Sequence, residues 1–76
     1  MIDSIPHRSF VILSDVQEVE IDGKPMFLSI VDVQPNFGGE ILRLPGVLPS
    51  QTRKEALTNG REAGRRWINR WLGPEA

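Results

Sequence analysis

Residues 11–33 read VILSDVQEVEIDGKPMFLSIVDV, two runs rich in apolar and β-branched residues on either side of Asp22-Gly23. An Asp-Gly pair readily takes the positive backbone angles of a two-residue hairpin turn, whose twist matches that of the strands it joins. The two runs therefore fold back on each other antiparallel, and a two-residue loop fixes the register so that Ile21 faces Lys24 and Val19 faces Met26. Strands are expected over about 9–21 and 25–34.

Working outward, Pro35-Asn36-Phe37-Gly38-Gly39 has the composition of a turn, and a short third strand is expected over 40–44 before Pro45 and Pro49 end regular pairing. Thr52-Arg53-Lys54-Glu55 fits a capping box, in which the Thr52 hydroxyl accepts from the Glu55 amide and the Glu55 carboxylate reaches back. A helix is expected over 53–72. At 100° per residue Ala56, Leu57, Gly60, Ala63, Gly64, Trp67, Ile68 and Trp71 form one stripe, which faces the sheet. Gly60 and Gly64 let the first helical turns approach the sheet, while the tryptophans fill the wider end; Gly73-Pro74 stops the helix. The fold class that results is α+β, a three-stranded antiparallel sheet in the order β-β-β-α, packed by one C-terminal helix as a single domain over 1–76.

One helix covers only one face of such a sheet, yet the second strand is apolar on both. Met26, Leu28 and Ile30 point one way, and Phe27, Val31 and Val33 the other. Under the Asp-Gly register Phe10 and Ile12 join the second set. Which face the helix takes stays open, and Phe27, Val31, Val33, Phe10 and Ile12 are the candidates for a protein-interaction surface.

Composition narrows the function classes. A chain of 76 residues holds one small core and no deep cleft, so its stability is marginal and a homodimer or protein partner is a standing expectation. No cysteine is present, which removes thiolate metal sites and cysteine nucleophiles and fits a reducing compartment. The first residues lack the basic start and apolar stretch of a secretory signal, and no apolar run approaches the roughly 20 residues of a membrane span. A cytoplasmic protein without a membrane segment is expected. His7 is the lone histidine and sits beside Pro6 in an N-terminal segment read as flexible, a poor support for catalytic geometry. Glu18, Glu20 and Asp22 alternate along one strand without ligand-type neighbours, and Gly38-Gly39 lacks the Lys-Ser/Thr of a phosphate loop. A non-enzymatic module with no metal and no cofactor is the expectation.

Charge is segregated: residues 1–52 carry three basic and seven acidic groups, residues 53–76 six basic and three acidic. Lys54, Arg61 and Arg65 lie along one flank of the helical stripe, and Arg66 and Arg70 along the other. Arg53, Lys54, Arg61 and Arg65 are the candidates for an alternative reading, weak binding of double-stranded RNA or DNA.

Strand, Asp-Gly turn, strand and short strand, followed by Thr52, Glu55, Ala56, Gly60, Ala63 and Trp67, resemble a group of short uncharacterised bacterial proteins. Their fold looks like the double-stranded-RNA-binding domain without its first helix. The resemblance covers residues 8–72 and implies fold, with no established activity to carry over. RNA-binding members of the wider fold use an N-terminal helix, a hairpin-loop histidine and a basic cluster at the start of the last helix. Only Arg53 and Lys54 have a counterpart here; the hairpin reads Glu20-Ile21-Asp22-Gly23-Lys24-Pro25.

Overall fold

The turn that decides the register forms as its residues require: Asp22 and Gly23 take φ of 52° and 77°. In the computed structural model, which describes residues 2–73, they join strand β2 (Phe10–Ile21) to β3 (Lys24–Pro35). The pairing closes at Ile21–Lys24 and runs without a bulge to Phe10–Pro35. Beside them lie β1 (Asp3–His7) and β4 (Leu42–Arg43), giving a four-stranded antiparallel sheet in the order β1-β2-β3-β4. Helix α1 (Arg53–Leu72) packs across it. The fold is α+β.

The first strand departs from the three-stranded expectation. Residues 3–7 pair with β2 through a second two-residue turn, Arg8-Ser9, in which Arg8 itself holds a left-handed φ of 57°. An arginine pays strain there. Its guanidinium compensates by donating to the Gly73 carbonyl (2.6 Å) and to Asn69 Oδ1 (3.3 Å), while His7 Nε2 lies 3.0 Å from the same Asn69 oxygen. The N-terminal segment read as flexible is thus a strand tied to the helix end. Proline placement agrees with the pairing. Phe27 bonds outward to Ser50 rather than toward β2, so Pro25, two residues earlier, turns its ring nitrogen to the open edge. Pro6 does the same on β1, next to the closing pair His7–Phe10.

The helix settles on the face that carries Phe10, Ile12, Val31 and Val33. These four, with Leu44 and Ile68, form the buried core. Small residues meet where the layers are closest. Ala56, Gly60 and Gly64 are buried on the helix, over Ser14 and Ser29 on the sheet. A methyl group at Gly60 would collide with the Ser29 hydroxyl, and one at Gly64 would lie 2.7 Å from Ile12 Cγ2. The close approach expected of the two glycines is therefore present. It leaves the Ser14 and Ser29 hydroxyls buried without a hydrogen-bond partner. At the wide end Trp67 and Trp71 stack at 6.2 Å, and the Phe10 ring meets both edge-on. Trp71, expected in the buried stripe, is 63% exposed because the sheet has ended beneath it. Of the capping box, the bond from the Glu55 amide to Thr52 Oγ1 is made at 3.1 Å.

Candidate functional site

The residues expected on a docking face are not on one. Phe10, Ile12, Val31 and Val33 are at most 2% exposed beneath α1, and Phe27 is half-buried with the Arg53 guanidinium 5.2 Å from its ring centroid. The physical reason is volume. Ser14 and Ser29 share this face, and only a face with such gaps admits a helix as close as Gly60 and Gly64 bring it.

The apolar surplus therefore lies on the opposite face. The register pairs Val19 with Met26 and interleaves Val11, Leu13, Leu28 and Ile30 with Gln34, Asp32, Gln17 and Asp15 opposite them, so six half-buried apolar side chains share this face with four polar ones. The helix packs on the other side, and among the described residues no element lies over this face. Its two carboxylates are held differently. Asp15 Oδ1 accepts from the Val16 amide at 2.8 Å, and Asp32 is held in a two-pronged pair by Arg43 at 2.9 and 3.2 Å. A partner laid on this face meets the Asp15 charge opposite Ile30, whereas that of Asp32 is neutralised by Arg43. The same parity argument that gave two apolar faces contained the answer: Ser14 and Ser29 fall in the set with Val31 and Val33, and a face with small residues is the one that fits a glycine-rich helix.

The basic candidates are mostly engaged within the molecule. Arg61 makes a two-pronged ion pair with Asp3 at 2.9 and 3.0 Å, and these hydrogen bonds hold the Asp3 carboxyl below its ordinary value. Arg65 pairs with Glu62 at 3.6 Å. Arg53 lies over Phe27 and reaches the Val16 carbonyl at 3.5 Å, so it caps the edge of β2 where β1 has ended. Lys54 is exposed. The structure thus brings no four-cation patch together from Arg53, Lys54, Arg61 and Arg65.

On the other flank Arg66 and Arg70 stand at the mouth of a groove between α1 and the segment 44–50. Among the described residues no three potential metal ligands come together, and no helix is long and apolar enough to cross a membrane. No protein-family model, no curated protein and no solved structure matches this chain.

Proposed function

We propose that this chain is a non-enzymatic interaction module that associates reversibly through the open face of its sheet, in the first instance with a second copy of itself. The observation that carries the reading is the set of half-buried apolar side chains Val11, Leu13, Val19, Met26, Leu28 and Ile30 on the side away from α1, interleaved with Asp15, Gln17, Asp32 and Gln34. Strand rise and spacing make the β2–β3 ribbon about 40 Å by about 10 Å, a face of about 400 Å² of which the apolar side chains supply about half. The whole face is about half of the roughly 800 Å² per partner of a standard stable interface, the size of a weak contact. Reversible association follows from that size. A second copy also suits a domain that builds its core on one face only, because small domains gain most from added interface.

The engagement of Arg43, Arg61 and Arg65 with Asp32, Asp3 and Glu62 supports this reading over nucleic acid, since these cations already hold carboxylates and Asp15 on the open face would repel phosphate. A cytoplasmic setting, and kinship with the helix-deleted double-stranded-RNA-binding fold through the order β2-β3-β4-α1, belong to the same proposal.

Sedimentation equilibrium tests it. The wild type should shift from monomer to dimer as concentration rises, whereas Leu13→Lys with Ile30→Lys should stay monomeric while keeping the wild-type circular dichroism spectrum. A wild type that is monomeric at millimolar concentration sinks the proposal.

A further inference from the structure

We infer that the groove between α1 and the segment 44–50 binds a small amphiphilic carboxylate, its apolar body against the groove walls and its head between Arg66 and Arg70. The inference is independent of the open sheet face, because it rests on the opposite side of the molecule and on different residues.

The wall is built rather than incidental. Its near end is fixed by the Leu44 amide, which donates to the Val31 carbonyl at 2.9 Å. Its far end is fixed by two bonds between Ser50 and Phe27, at 2.9 and 2.8 Å, and by the Asn59 amide group, which donates to Ser50 Oγ at 2.9 Å. Between these anchors Pro45 and Pro49 restrict the backbone, and Gly46 makes the bend at φ 78°. A segment pinned at both ends loses little further entropy on accepting a ligand. The space it encloses with the helix is about 540 Å³, inside the range of small-molecule sites.

The lining selects the chemistry. Leu44 is at the buried base, with Val47, Ala63 and Trp67 half-buried around it, while Leu48 stands 79% exposed at the lip. These surfaces ask for an aliphatic or aromatic body. Arg66 and Arg70 are one helical turn apart on the same flank, where like charges repel by tenths of a kcal/mol. Among the described residues neither has an ion pair; Glu62, the neighbouring carboxylate on the helix, is taken by Arg65. Every lining residue that carries charge is cationic. Two adjacent guanidiniums present planar forks that match a carboxylate, and one anionic head removes their mutual repulsion while pairing both.

The probe is octanoate, added to the full chain and followed by Trp fluorescence and by amide chemical shifts. Shifts should concentrate on residues 44–48 and 63–70, and octylammonium should leave those amides unmoved. Arg66→Ala with Arg70→Ala should weaken octanoate binding about tenfold or more, the loss expected on removing charge-assisted hydrogen bonds. Lys54→Ala, which removes an exposed cation from the other flank of the helix and frees no carboxylate beside the groove, should bind as the wild type does. Because both groove arginines are exposed, the double variant is expected to keep the wild-type fold, and its circular dichroism checks that. Equal binding of octylammonium, shifts confined to Val11–Ile30 on the open sheet face, or an unchanged affinity in the folded double variant would each overturn the assignment.

Discussion

Gly60 sets the distance between the two layers, and its cost shows how much that distance is worth. Alanine is about 1 kcal/mol better than glycine within a helix, so propensity alone makes Gly60→Ala stabilising. The added methyl, however, would run into Ser29 Oγ and lie 3.0 Å from Val31 Cγ2. Overpacking of a filled core costs typically about 1–3 kcal/mol, which outweighs the gain. Gly60→Ala should therefore lower stability in urea unfolding. Ser29→Ala, which removes a buried hydroxyl without a partner, should be neutral or stabilising, since such a group carries a desolvation penalty of about 1–3 kcal/mol. Combining the two should recover part of the Gly60→Ala loss, and strict additivity of the pair would show that the hydroxyl is not what the methyl meets. The sequence revealed the glycines and their stripe, because periodicity marks them. It concealed the partner, because Ser14 and Ser29 read as ordinary polar strand residues until their parity with Ile12 and Val31 is weighed.

At the level of elements, β2, β3 and α1 were legible because each carries a strong local signal: the Asp22-Gly23 turn with its positive angles, and the Thr52 cap with its bond to the Glu55 amide. The third strand was expected over 40–44 and pairs only at Leu42–Arg43, since glycines 38 and 39, at φ 89° and 120°, delay its return to the sheet. β1 was not legible. It is five residues long, contains a proline and turns through Arg8-Ser9, a pair with no glycine to announce a positive φ. What holds it is tertiary: its pairing with β2, and Arg61 on the helix clasping Asp3. That clasp makes a pH prediction. The Arg61 hydrogen bonds lower the Asp3 pKa in the folded state, so the folded protein releases this proton more readily than the unfolded chain does. The stabilisation is present above the unfolded carboxyl value, about 3.9, and is lost as pH falls through the depressed folded value. In acid titrations of thermal stability, Arg61→Ala should therefore lie below the wild type at neutral pH, with the two curves converging as Asp3 protonates. A gap that persists unchanged into strong acid would mean that Arg61 acts through packing and not through this carboxylate.

The whole molecule measures 42 × 22 × 18 Å, and its length comes from the β2–β3 ribbon, which runs on past the start of α1. Where the helix covers it, around Ile12 and Val31, the ribbon is fully buried on one side; on that same side Val16 and Phe27 are half-buried, and Glu18 and Pro25 are exposed. Neighbours on the flanks thin out in step. β1 ends opposite Ser14, and beyond it the β2 edge at Val16 is closed by Asp15 and Arg53 instead of by a strand. Local opening is easiest where buried apolar contact is least. Amide exchange in dilute solution should accordingly be slow near Ile12 and Val31 and faster by orders of magnitude from Gln17 to Leu28, a gradient that follows from the fold alone. Self-association adds a second effect. Docking through Val11, Leu13, Val19, Met26, Leu28 and Ile30 buries the full length of the ribbon, including the part that the helix leaves bare. Partner binding to the native state raises its stability by mass action, so protection must grow with protein concentration. The growth should be largest between Gln17 and Leu28, because there the monomer has most to gain. It should vanish when Leu13 and Ile30 are both replaced by lysine, while the dilute-solution gradient stays as it was. Protection that is independent of concentration in the wild type would leave the gradient to the fold and remove the open face as a self-association surface.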